Sequence, residues 1–112
     1  MEIDLKTYIL VEGEPVFVSD PLEWAEHLNK NRVIEKTIVT NVKVSTVFLG
    51  IDHNHSTGGP PILFETMIFG GKLHELCWRY TSVLEAKGAH WQIVRGLKKN
   101  NNVDQVNEFI NN

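Results

Sequence analysis

Asp52, His53 and His55 fall within four consecutive positions of one stretch, Val44 to Phe69, which reads VSTVFLGIDHNHSTGGPPILFETMIF. A carboxylate and two imidazoles held this close offer two kinds of chemistry. They can ligate zinc or another transition metal, with Glu65, His74 or Cys77 as further candidate donors, and so support a metal-dependent hydrolase. They can instead hydrogen-bond the phosphate or sugar oxygens of a small ligand, more strongly when the imidazoles are protonated. An HxH pair with no third ligand at a fixed spacing does not specify a metal site, so no metal ligand is assigned. Gly58-Gly59 permits positive φ and exposes consecutive amides that can nest an anion, and Pro60-Pro61 stiffens the return of the chain. The segment Ile51 to Pro61 is long for a connection between neighbouring antiparallel strands, and loops of that length are often functional. Its alternative is a solvated loop, because glycine and proline punctuate loops that bind nothing.

Three further groups carry polar chemistry among apolar neighbours. Glu65 stands between Phe64 and Thr66, where an unpaired carboxylate is costly; it is exposed, paired across strands with Lys36, Lys43 or Arg79, or functional as a base. Trp78, Arg79 and Tyr80 can stack a base and hold a phosphate, and Thr46 leads into the loop; the competing reading of the two rings is core packing. His90 lies in the apolar stripe of a helix, where a buried, hydrogen-bonded histidine is the expectation. No serine sits in a GxSxG elbow, and Cys77 reads as packing rather than as a nucleophile. The ligand-binding set is therefore Thr46, Asp52, His53, His55, Gly58, Gly59, Glu65, Trp78, Arg79 and Tyr80, with no catalytic residue and no cofactor. Within it, the Gly58 to Pro61 turn and Glu65 are stronger clues than the histidines.

The elements that must position these residues are legible as periodicities. Tyr8 to Val11 and Pro15 to Val18 flank the turn Glu12-Gly13-Glu14 as a hairpin. Asp20, Pro21 and Glu23 open a short helix whose stripe is Leu22, Ala25 and Leu28, with Trp24 beside Leu28. From Val33 the residues become β-branched, with Ile34, Lys36 and Ile38 on one face of the first run; Val42, Val44, Thr46 and Phe48 share one face of the second. Ile62 to Phe69 and Leu73 to Tyr80 alternate in turn. Ser82 and Glu85 cap the longest helix, roughly Val83 to Lys99, with Val83, Ala86, His90, Val94 and Leu97 on one stripe. The expectation is an α+β fold: an antiparallel four- to six-stranded meander packed with one long C-terminal helix and a short N-terminal helix. It places a single domain at 1–99 and a short tail helix at 100–112, built on Val103, Val106, Phe109 and Ile110.

Composition narrows the function classes. At 112 residues, 42% hydrophobic and 22% charged, the chain suits one compact domain. No apolar run approaches the roughly 18 to 20 residues that span a bilayer, and Met1 to Leu10 lacks the order of a signal peptide, so a cytoplasmic protein is expected. One cysteine, Cys77, cannot form an internal disulfide and fits a reducing compartment. A net charge of −3 disfavours bulk nucleic-acid binding while leaving room for a local anion site.

The runs VSTVFLGIDHNH, GGPP and LFETMIFGG, followed by Arg79-Tyr80 and a capped helix, resemble a family of small proteins encoded by bacteriophages, prophages and some bacteria. The resemblance covers roughly Tyr8 to Leu97. This chain departs from the pattern at Asn54-His55-Ser56-Thr57, where shorter or more glycine-rich loops are common. The resemblance brings no catalytic residues and implies a phage-type accessory protein acting in the host cytoplasm. Three functions are then open: a non-enzymatic protein that sequesters a small nucleotide-like ligand, such as a host immune signal; an inhibitor that binds a host defence protein; and the hydrolase built on Asp52, His53 and His55. A homodimer is expected, because so small a sheet leaves edges to cover.

Overall fold

A computed structural model describes residues 6–30, 32–56 and 58–100. The chain runs β1 (Thr7–Val11), β2 (Glu14–Val18), α1 (Pro21–Lys30), β3 (Val33–Val39), β4 (Val42–Phe48), β5 (Phe64–Phe69), β6 (Cys77–Tyr80) and α2 (Val83–Asn100). The expected tail helix lies outside the described residues. The fold is α+β, with β1 and β2 forming a separate antiparallel hairpin and β3-β4-β5-β6 a four-stranded antiparallel meander in chain order. No helix among the described residues is long and apolar enough to cross a membrane.

The pleat sorts the meander into two faces. Val44, Thr46 and Phe48 on β4 stand opposite Ile68, Thr66 and Phe64 on β5, and all six are buried. Alternation puts them on one face, which α2 covers with Ala86, His90, Ile93, Val94 and Leu97, a stripe at helical spacing. The core is thus layered along the helix. Val44, Ile68, Ile93, Val94 and Leu97 form one apolar cluster, and Phe48, Leu63, Phe64, Tyr80 and Ala86 form another. Between them lies a polar row of Thr46, Thr66 and His90. Trp78 packs against both clusters.

The hairpin and α1 close one end of this core. Tyr8, Leu10 and Leu28 pack against the Phe48 cluster, and the Tyr8 amide donates to the Gly50 carbonyl at 2.8 Å. Gly50 has φ of 78° and sits beneath α1, where a Cβ would lie 2.7 Å from Leu28 Cδ1. Its carbonyl also accepts the Trp24 indole N–H at 3.0 Å, so glycine is required on both conformational and steric grounds. Both helices carry side-chain caps: Asp20 Oδ1 accepts from the Leu22 amide, and Ser82 Oγ from the Glu85 amide.

Three local expectations change. Ile34 and Ile38 do not share a face, because a register shift between Val33 and Glu35 turns Ile34 onto the Phe48 cluster while Ile38 opposes Lys43 on the other side. The run Leu73 to Leu76 is a turn rather than strand: Glu75 takes φ of 69°, and the Leu76 amide bonds back to the Leu73 carbonyl, leaving β6 four residues long. Leu22 is exposed, and α1 half-buries Trp24, Ala25 and Leu28 instead.

Candidate functional site

The loop after β4 is organised by its own polar groups. Asp52 Oδ1 accepts from the amides of Asn54, at 2.8 Å, and Ile62, at 2.9 Å, which ties the two ends of the loop together. Asn54 Nδ2 donates to the carbonyls of Gly58 and Pro60, and Asn54 Oδ1 accepts from the amide and hydroxyl of Ser56. The His53 amide donates to the Ile62 carbonyl. Its Nδ1 lies 2.7 Å from the Ile51 carbonyl, which can only accept, so the ring proton is on Nδ1. His55 is exposed, with its ring centroid 6.4 Å from that of His53. Asp52, His53 and His55 do not converge on a point, and among the described residues no three His, Cys, Asp or Glu side chains are grouped to share an ion. Gly58 and Gly59 take φ of 86° and 83° at the exposed tip.

The other nominated residues lie elsewhere. Glu65 and Arg79 are register partners on the face of the meander away from α2, and Arg79 Nε donates to Glu65 Oε2 at 2.9 Å. Thr46, Trp78 and Tyr80 are on the α2 face, within the core. The ten residues thus occupy three places: a self-bonded loop, a cross-strand ion pair and the helix–sheet interface.

That interface holds a buried polar chain. Thr37 Oγ1 is 3.0 Å from His90 Nε2, Thr46 Oγ1 is 2.8 Å from His90 Nδ1, and Thr46 Oγ1 is 2.5 Å from Thr66 Oγ1. Both imidazole nitrogens are engaged, so the neutral ring donates at one threonine and accepts at the other. Burial lowers the pKa of His90 below 6.5, opposed by the carboxylate of Glu35. The Tyr80 hydroxyl ends the row. Burial pushes its pKa up, and among the described residues its oxygen has no hydrogen-bond partner. His90 fits the expectation of a buried, satisfied histidine. Thr37 and Thr66, its partners through the chain, are not signalled by the sequence, since threonine in a strand is ordinary.

Among the described residues, a cleft of about 550 Å³ is open to a ligand where the hairpin turn, the end of α1, the start of β3 and the start of α2 meet. Leu10, Ile34 and Val83 supply its apolar surface, and Lys30, Arg32 and Lys87 its charge. Glu12 is the one acidic residue among the described residues of the lining, beside Gly13 and Asn29. None of the three cations is in an ion pair among the described residues, in contrast to Arg79. The strand β1 leads from the loop, where Thr7 bridges Ile51, to the cleft at Leu10 and Glu12. Loop and cleft are therefore separated by roughly 10 Å of strand rise between Thr7 and Leu10. Sequence reasoning missed this cleft; the available signal is Lys30 and Arg32 flanking a helix–strand junction, with Lys87 brought in from far along the chain.

No protein-family model, curated protein or solved structure matches the chain.

Proposed function

We propose that this protein is a non-enzymatic binding protein that captures a small nucleotide-like ligand in the cleft between the hairpin turn, α1, β3 and α2. The observation that carries the reading is the convergence of Lys30, Arg32 and Lys87 around an apolar surface with no ion-pair partner among the described residues. Unpaired cations beside aliphatic side chains suit a molecule with phosphate at one end and a ring at the other, and the volume falls in the range of small-ligand sites. The resemblance to phage-encoded proteins supports a setting in the host cytoplasm, where sequestering a nucleotide signal would blunt a defence response. Titration calorimetry against mononucleotides, cyclic dinucleotides and ADP-ribose-type ligands tests this. Binding without turnover is expected, weakened at least tenfold by Arg32→Ala; absence of binding at high micromolar ligand, or conversion of the ligand, would reject it.

A second reading, an inhibitor of a host protein or a homodimer, is favoured by the uncovered face of the meander. Val33 and Ile38 are 60% and 67% exposed there, beside half-buried Val47, Met67 and Phe69. Light scattering on the purified protein separates dimer from monomer.

A further inference from the structure

The cleft has a charge balance that narrows the ligand. The three cations come from two parts of the chain: Lys30 and Arg32 from the junction of α1 and β3, and Lys87 from the second turn of α2. With Glu12 as the one opposing charge, the described residues of the lining carry a net charge of plus two. Like charges gathered over an apolar surface repel one another, and a monoanion would leave that repulsion half-compensated.

Glu12 supplies an independent observation. It and Gly13 are the central residues of the β1–β2 turn, at φ of 51° and 82°, the pattern of a type I′ hairpin turn. Asparagine, aspartate and glycine suit the first of those positions, whereas a glutamate there is strained. The strained residue is also the acceptor-only side chain in a basic cleft. A carboxylate at the turn tip among cations can accept from donors on a ligand, and ribose hydroxyls are the donors that a phosphate-bearing nucleotide carries. No aromatic ring lines the cleft among the described residues, so the base would rest on Leu10, Ile34 and Val83 rather than stack.

Resting on the reading of the cleft as a nucleotide site, we propose that its ligand carries two phosphate charges, held by Lys30, Arg32 and Lys87, and a hydroxyl-bearing sugar held by Glu12. A nucleoside diphosphate and a cyclic dinucleotide share this chemistry. Calorimetry at fixed ionic strength with 3′,5′-cyclic AMP, whose one phosphodiester is a monoanion, ADP, a cyclic dinucleotide and inorganic pyrophosphate tests it and separates adjacent from separated phosphates. At least one of ADP and the cyclic dinucleotide should bind tenfold or more tightly than 3′,5′-cyclic AMP, and the tighter of the two identifies the arrangement. Glu12→Gln should weaken that ligand several-fold while strengthening pyrophosphate, because it replaces a charged acceptor of the sugar hydroxyls by one neutral amide oxygen and removes a repulsion from the anion. 3′,5′-Cyclic AMP binding as tightly as the ligands with two phosphates, or Glu12→Gln weakening pyrophosphate and nucleotide alike, would overturn the proposal and leave the nucleotide site standing. Failure of all four to bind would reject the site itself.

Discussion

The loop from Ile51 to Pro61 and the cleft beside α1 are opposites in how their polar groups are used. In the loop, neighbouring side chains satisfy one another and the backbone: Asp52 bridges the two ends, and Asn54 holds the glycine tip and Ser56. In the cleft, Lys30 and Arg32 at one helix–strand junction are met by Lys87 from far along the chain, and the three find no ion-pair partner among the described residues. Residues close in sequence meet at little entropic cost, so a dense polar run tends to close on itself and build a scaffold. Charges gathered from distant segments and left unpaired are the better sign of an external ligand. The buried row at His90 extends the first category into the core, with four side chains from β3, β4, β5 and α2 bonded in sequence.

This contrast predicts that substitutions in the satisfied set cost stability, and those in the cleft cost binding. The largest loss is expected at His90. Its replacement by alanine removes a fully buried ring and leaves the Thr37 and Thr46 hydroxyls without that partner, a destabilisation of about 3 kcal/mol in urea unfolding. The same residue sets a pH dependence of stated sign. Burial lowers the folded-state pKa, so below the unfolded value of 6.5 the unfolded chain binds more protons. The stability tied to neutral His90 is complete above 6.5 and is lost as pH falls toward the lower folded value. Unfolding midpoints of wild type and His90→Gln between pH 7.5 and pH 5 should converge on acidification; parallel profiles would show that the imidazole is not the titrating group.

Next in size is Asp52. Alanine there removes the acceptor of two amides that close the loop, an expected loss of about 2 kcal/mol, with asparagine recovering part of it because one oxygen can still accept from both. Ligand affinity at the cleft should be unchanged in whichever of these variants folds. Coupled losses of stability and affinity in Asp52→Asn would mean that the loop is part of the site after all, and the separation drawn between the two regions would fail.

Much of this architecture was legible because it is written in local periodicity. The alternation of Val44, Thr46 and Phe48 against Phe64, Thr66 and Ile68 gave the strands their faces, and the 82–99 stripe gave the helix that covers them. What was not legible depends on tertiary pairing. The register shift at Val33/Glu35 parts Ile34 from Ile38, and nothing in the run VIEKTIV marks it. The run from Leu73 alternates well enough to read as strand, yet it becomes a turn because the Glu75 amide returns to the Ile68 carbonyl across the end of β5. The site fared worst, since Asp52 looks chemical in sequence and is taken up by amides that only three dimensions bring together, while Glu65 takes Arg79, one of the cross-strand partners open to it in the sequence. Lys87 looks like an ordinary solvated helix residue until α2 docks and brings it beside Arg32.

The smallest expected effect has the opposite sign, and it tests the contrast most sharply. Glu12 is a cleft residue whose backbone, at φ of 51°, belongs to a turn that asparagine suits better. Glu12→Asn should therefore raise stability by about 0.5 to 1 kcal/mol through relief of the left-handed strain. The same change should weaken nucleotide capture, because the shorter amide withdraws a carboxylate from the cleft. A residue in the loop or the core offers no such exchange, since its side chain is already committed to the fold. Thermal unfolding and calorimetry on this one variant decide the matter: a gain in stability with a loss of affinity marks Glu12 as held against local preference for a ligand, whereas a loss of stability with unchanged affinity would assign it to the scaffold alongside Asp52.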